Sequence, residues 1–196
     1  YDATRRYFLF GRAELIAGLR PPERGSVLEI GCGTAWNLRQ AALRYPDVDL
    51  YGLDISSEML ASAQAAVASA GLRGRITLAE ADASTLDGAR TFGRQRFDRV
   101  FASYTLSMIP DWPAALARAI DHLAPAGSLH IVDFGQSEQL PAPVRRALFA
   151  WLARFDVVPR ADLEATLRRL AVAHGLDLHF ASLLRGYAVY AVLRRI

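Results

Sequence analysis

Apolar and polar positions in this chain alternate in blocks, first at the close spacing of buried strands and then at the wider spacing of helices. Short apolar runs at residues 27–30, 50–53, 75–80, 97–103 and 128–133 read as strands. The segments between them repeat their apolar residues every three or four positions. Runs apolar throughout belong to strands covered on both faces, so this alternation predicts a doubly wound, mostly parallel α/β sheet. Helices are expected at 38–45, at about 56–70 with Ser56 as cap and Gly71 as stop, and at 111–123 with Asp111 as cap. A polar loop fills 83–96, and Pro125-Ala126-Gly127 turns into the fifth strand. At the start, residues 4–19 read as a helix stopped by Pro21-Pro22, with Phe8, Leu15 and Leu19 near one face. The last third opens with an amphipathic helix introduced by Pro141 and Pro143 and ended by Pro159, in which Val144, Leu148, Leu152 and Phe155 share a face. A helix over 162–173 follows. Runs at 176–184 and 187–193, separated by Arg185-Gly186, then give a hairpin signal.

The densest chemical signal lies where the first strand meets the first helix after it, Val27-Leu28-Glu29-Ile30-Gly31-Cys32-Gly33-Thr34-Ala35-Trp36-Asn37. Strand, glycine turn and helix in that order leave main chain open to a ligand. Roughly twenty residues on, the second strand ends in Asp54, where a carboxylate is placed to accept two hydrogen bonds from a ribose diol. The pair describes a nucleoside pocket. A dinucleotide fingerprint needs a third glycine where this chain has Trp36, so NAD and FAD are disfavoured.

The hydrophobic-Glu-hydrophobic-Gly-x-Gly run, with Asp54 closing strand two, resembles the first motif of the class I S-adenosylmethionine (AdoMet) methyltransferases. The departure is Ala35 in place of the last glycine, tolerable if its backbone keeps negative φ. The resemblance implies a Rossmann-like α/β fold of about seven strands, mostly parallel with a closing antiparallel C-terminal hairpin. It also implies AdoMet as cofactor and S-adenosylhomocysteine as product. Cofactor contacts then fall to Glu29, Gly31, Cys32, Gly33, Asp54 and Ser103, with Asp82 and the main chain of Ala83 reading the adenine. Ile55 and Met59 either sandwich the purine or belong to the core. Tyr1 or Tyr7 would lie near the methyl donor, in an N-terminal segment folded over it. The run Ser103-Tyr104-Thr105-Leu106-Ser107-Met108-Ile109-Pro110 stands where this family places the acceptor. There Tyr104 either meets an amine through ring or hydroxyl or braces the following helix.

Composition narrows the setting. Two parts are expected, a lid helix at 1–24 and one methyltransferase domain at 25–196. Cys32 is the single cysteine, so no internal disulfide forms; it reads as a small residue in a tight turn, suited to a reducing compartment. No metal-ligand spacing occurs, and none of His122, His130, His174 and His179 is assigned as a base. Every basic residue is arginine. Residues 1–24 hold five arginines against three acids, 25–140 nine against thirteen, and 141–196 nine against four. Basic ends around an acidic middle direct any attraction to an anionic surface toward the ends. No apolar run approaches the roughly twenty residues that span a bilayer, and no signal-peptide pattern is visible. A cytoplasmic protein, peripheral at the inner membrane face, is the expectation.

Further phrases are similar to the bacterial betaine-lipid N-methyltransferases: Tyr1-Asp2-Ala3-Thr4-Arg5-Arg6-Tyr7, Leu106-Ser107-Met108-Ile109-Pro110-Asp111-Trp112, Val132-Asp133-Phe134-Gly135, Pro159-Arg160 and Arg185-Gly186-Tyr187-Ala188. That resemblance implies trimethylation of the amine of diacylglyceryl-homoserine at a membrane surface. Arg12, Arg160, Arg185 and Tyr187 join Tyr104 as substrate candidates, since a forked guanidinium suits a carboxylate. Phosphatidylethanolamine is the alternative acceptor. A catalytically silent AdoMet-binding interaction module, marked by Ala35, is the alternative of another class. Nucleic acid is not an expected partner, because the acceptor region lacks an Asn/Asp-Pro-Pro-aromatic motif and the arginines form no tract.

Overall fold

The computed structural model describes residues 9–195. Seven strands form one sheet in the order β3-β2-β1-β4-β5-β7-β6. They are β1 Ser26–Ile30, β2 Asp49–Asp54, β3 Ile76–Glu80, β4 Phe97–Ser103, β5 Leu123–Phe134, β6 Leu176–Leu183 and β7 Ala188–Arg195. The first five run parallel; β7 enters antiparallel between β5 and β6 and completes the expected hairpin.

Side chains alternate between two apolar layers. From β1, Val27 joins Leu15, Leu38, Leu50 and Phe101 on one face, while Leu28 and Ile30 join Phe97, Leu116, Leu129 and Leu167 on the other. Helices α1 Arg12–Leu19, α2 Trp36–Arg44, α3 Ser57–Ser69 and α6 Ala142–Ala153 serve the first layer. Helices α4 Gly88–Phe92, α5 Trp112–Asp121 and α7 Leu163–His174 serve the second. Two of the expected caps form: Ser56 Oγ accepts from Met59 N–H at 3.3 Å, and Asp111 Oδ1 from Ala114 N–H at 3.2 Å.

Several expectations need correction. Among the described residues the N-terminal helix covers Arg12–Leu19, and Gly11 before it takes φ +82°, which interrupts the expected 4–19 run there. Tyr1, Tyr7 and the rest of 1–8 lie outside the described residues. Helix α1 is not a separable lid, since Leu15, Ile16 and Leu19 are buried in the first layer. The loop at 83–96 contains a 3-10 turn, Ala83–Thr85, and α4. Strand β5 begins at Leu123, paired with Phe97, and carries 125–127 as a bulge before Ser128 pairs with Arg99. Ala35 has φ +57°, so the glycine turn keeps a left-handed shape at a cost of about 1–2 kcal/mol. Helix α6 buries Leu152 but leaves Val144 exposed, and Phe155, past its end, is exposed too.

Candidate active site

A cavity of about 510 Å³ opens at the carboxyl ends of β1, β2 and β4, the place where open α/β sheets hold ligands. The turn after β1 forms its floor. Gly31 sits at φ +65°, and a Cβ there would collide with the Thr105 side chain; Gly33 sits at φ +51° with open space where a Cβ would point. Main chain closes the turn through Cys32 N–H to Leu53 O at 2.9 Å and Ala35 N–H to Cys32 O at 2.8 Å. Asp54 fastens it from the side. Its Oδ2 accepts from Gly33 N–H at 2.8 Å and its Oδ1 from Ser56 N–H at 2.9 Å. Each oxygen retains accepting capacity for a diol.

Glu29 ends up beneath the turn, 1% exposed and lining the cavity. Its Oε1 accepts from Asn37 Nδ2 at 2.6 Å, while Oε2 is buried without a hydrogen-bond partner. Burial pushes its carboxyl up to about 8, against the pull of Asn37 and the Arg12 guanidinium. Arg12 stacks 3.9 Å above the Trp36 ring and donates from Nε to Asn37 Oδ1 at 2.9 Å. A chain Arg12-Asn37-Glu29 thus joins α1, α2 and β1 at one end of the cavity. The other end holds Ile55, Met59, Asp82, Ala83 and Ser84. Asp82 Oδ1 is engaged by Ser84, from its N–H at 2.8 Å and its Oγ–H at 2.7 Å.

The acceptor segment follows β4. Tyr104 takes φ +54° and is nearly buried, packed edge-on against Phe134 at 4.6 Å. Its hydroxyl donates to Phe10 O at 2.7 Å, and burial pushes it above the ordinary phenol range, so it carries its proton at neutral pH. Asp133, buried and pushed up to about 6 by burial, accepts from Leu106 N–H at 2.8 Å and from Phe134 N–H at 2.8 Å. Arg160 clamps the same segment, donating from Nε to Leu106 O at 3.1 Å and from a terminal nitrogen to Ile109 O at 2.7 Å. Next to this segment a smaller apolar groove of about 60 Å³ shares Leu9, Tyr104 and Met108 with the cavity and runs beneath Trp151 and Phe155.

Of the residues singled out in the sequence, Arg12, Glu29, Gly31, Cys32, Gly33, Asp54, Ile55, Met59, Asp82, Ala83, Ser103 and Tyr104 all line the cavity. Arg160, Arg185 and Tyr187 do not. The Arg160 fork is engaged by backbone, Arg185 is exposed on the β6–β7 turn at φ +61°, and Tyr187 packs edge-on against Phe10 and Phe134. Burial and the nearby carboxylates push the Cys32 thiol up, which leaves it inert as a nucleophile. Asn37, Asp133 and Thr105 were not singled out as site residues. Asn37 alone carries a signal in hindsight, as a polar residue on the same face of α2 as the buried Leu38, Ala41 and Ala42. Among the described residues no cluster of histidine, cysteine or acid is arranged for a metal.

The residues present fit AdoMet. The unpartnered Glu29 Oε2 suits its ammonium, Asp54 its ribose, the open side of Gly33 its close approach, and Ile55 and Met59 the purine faces.

Residues 27–127 match a family described as a methyltransferase domain. The trans-aconitate 2-methyltransferase of Deinococcus radiodurans is 34% identical over 112 residues, 56% of this chain and 39% of that protein. The phosphatidylethanolamine N-methyltransferase of Cereibacter sphaeroides is 33% identical over 133 residues, 67% of this chain and 60% of that protein. Across the first relatives matched, the chain spans roughly two fifths to just over half of their length. Among solved structures, a SAM-dependent methyltransferase from Aquifex aeolicus superposes with a TM-score of 0.71 at 16% identity, covering 97% of this chain and 93% of that one. The chain belongs to the methyltransferase-domain family and has the seven-stranded Rossmann-like fold of the class I, S-adenosylmethionine-dependent enzymes.

Proposed function

We propose that this protein is an AdoMet-dependent N-methyltransferase acting on the amine of a lipid head group, with diacylglyceryl-homoserine as the narrower substrate. The observation that carries the reading is the junction of two cavities at Tyr104. A polar-ended cofactor pocket there meets an apolar groove through the shared walls Leu9, Tyr104 and Met108. A reacting amine is polar while the chain behind it is apolar, and a site for such a molecule needs both surfaces side by side.

Bound AdoMet supplies an electrophilic methyl group. The protein's part is to bind, orient and exclude water. Asp54, Glu29 and the glycine turn would hold the donor at the carboxyl ends of β1 and β2. The acceptor segment is held rigidly by Asp133 and Arg160, so an amine in the groove is aimed across Tyr104 and Ser103. Held there, AdoMet would supply its methyl group to an unprotonated amine in the groove, with S-adenosylhomocysteine as the leaving product and the surplus proton of the methylated amine passing to solvent. The ring face of Tyr104 stabilises the cation by about 0.5–2 kcal/mol, a role that needs no general base. Arg12, at the cavity wall, is the guanidinium placed for an acceptor carboxylate. The same left-handed turn is made with Ala35 as a glycine would make, which speaks against a silent module.

The test is methyl transfer from labelled AdoMet to micelle-borne diacylglyceryl-homoserine, phosphatidylethanolamine and, separately, soluble trans-aconitate, with products read by mass spectrometry. N-methylated homoserine lipid is expected. Methylation of phosphatidylethanolamine alone refutes the narrower substrate, and methylation of trans-aconitate alone refutes the lipid reading.

A further inference from the structure

Helix α6 packs on the domain through Leu152, with Leu148 and Phe149 half-buried beside it. Val144, Arg145, Arg146, Ala147 and Ala150 are exposed along it, as are Trp151 and, just beyond it, Arg154 and Phe155. At about 100° per residue, Val144, Leu148, Trp151 and Phe155 fall within roughly 60° of arc, with Arg154 on one flank and Arg145 on the other. The helix holds no acid, and Asp156 is the first carboxylate after it. Trp151 and Phe155 lock edge to face at 5.3 Å with 37% and 52% of their surfaces in solvent. Val158 is also exposed, and its N–H binds Ser107 O at 3.0 Å, which places this surface against the acceptor segment. An aromatic stripe between arginines is the pattern of a helix lying in a lipid interface. No helix among the described residues is long and apolar enough to cross a membrane.

We propose that α6, with Trp151, Phe155, Val158, Arg145, Arg146 and Arg154, docks the protein on an anionic bilayer, so that the groove beneath Trp151 opens directly onto the lipid from which the acceptor comes. The occupant is a lipid surface rather than a protein because the exposed groups combine an aromatic ring pair with three arginines against one carboxylate, Asp156, just past the helix. A bilayer carrying anionic lipid complements that set. The position is as informative as the composition. The groove's walls include Trp151, Leu152, Phe155 and Val157 on one side and Tyr104, Met108 and Leu9 on the other. A lipid whose chains stay in the membrane therefore reaches the cofactor cavity past α6 without leaving the interface. The inference rests on the lipid head-group reading, and its test is separate from that reading.

The full chain is sedimented with vesicles of phosphatidylcholine alone and of an equal phosphatidylcholine and phosphatidylglycerol mixture. Binding should favour the anionic vesicles and fall as salt shortens the Debye length from about 10 Å at 0.1 M to about 3 Å at 1 M. Changing Arg145, Arg146 and Arg154 together to glutamine should weaken it on the order of 100-fold, about fivefold for each arginine near the surface. Brominated lipid should quench wild-type tryptophan emission, and most of that quenching should disappear in Trp151→Phe. The variants should keep wild-type AdoMet affinity and melting temperature, which shows that they fold. Equal binding to neutral and anionic vesicles, no binding at all, unchanged binding by the triple variant, or a concentration-dependent dimer abolished by Trp151→Ala each overturns the proposal. Vesicle docking without lipid methylation would refute the substrate reading and leave the docking intact. Lipid methylation unaffected by the triple change would do the reverse.

Discussion

At the scale of single residues, the buried carboxyl of Glu29 is the most informative group. Held near 8 by burial, it is mostly protonated at neutral pH without cofactor. Pairing with an ammonium requires the carboxylate, so AdoMet binding should expel a proton and tighten as pH rises from about 6 to 8. Calorimetry at pH 7 in two buffers of different ionisation enthalpy should report a proton released, and Glu29→Gln should release none while binding less tightly by roughly 1.5–3 kcal/mol. The sign for stability is opposite. An unfolded Glu loses its proton near its ordinary value while the folded one holds it to about 8, so this group's favourable contribution is complete below the ordinary range and lost as pH rises through the folded value. Glu29→Gln should therefore gain on wild type in melting temperature above pH 8. Asp54 differs, because it both awaits a ribose and holds the turn through Gly33 and Ser56. Asp54→Ala should lose AdoMet affinity by about 1.5–3 kcal/mol and also lower the melting temperature; unchanged affinity by calorimetry would remove it from the site. Motif spacing made Asp54 and the glycines legible, since local backbone demands set both. It could not show that Ala35 goes left-handed, because that conformation is imposed by the Cys32 and Arg39 hydrogen bonds around it, and single-residue preference points the other way.

At the scale of elements, the acceptor segment is a loop made rigid from two sides. Asp133 comes up from the end of β5, and Arg160 reaches in from the stretch between α6 and α7. The sequence placed Arg160 in a short phrase and offered a carboxylate for it, since an arginine far along the chain carries no mark of what it meets. In the fold its two bonds go to carbonyls, so it positions the loop. Arg160→Ala should raise KM for the acceptor and lower kcat, leave AdoMet affinity within twofold, and destabilise by about 1.5–3 kcal/mol. A large loss of AdoMet affinity would show that the residue acts elsewhere. The strands and helices themselves were readable because their periodicities are local properties. The bulge in β5 and the short α4 were not, as both are set by the neighbours they pack against: Gly88 N–H to His122 Nε2 at 2.9 Å for one, the β4 register for the other.

At the scale of the whole molecule, the division at residue 24 is where sequence and structure part most clearly. A helix before a proline pair reads as an appendage, yet α1 places Leu15, Ile16 and Leu19 in the same layer as Leu38, Leu50 and Phe101 and sends Arg12 to the cavity wall. Burying three such side chains contributes about 1.5–3 kcal/mol each, together comparable to the 5–15 kcal/mol that keeps a domain folded. Removing residues 1–19 should therefore unfold or molten the entire sheet, as seen by lost thermal cooperativity and near-ultraviolet dichroism. Removing only 1–8 leaves Leu15, Ile16 and Leu19 in the chain. Because the resemblance puts Tyr1 or Tyr7 near the donor, the shorter deletion should weaken AdoMet binding at an almost unchanged melting temperature. Normal cofactor affinity in the shorter deletion would end the lid expectation. A cooperative, wild-type-like melt in the longer one would show that α1 contributes far less to the core than its burial implies.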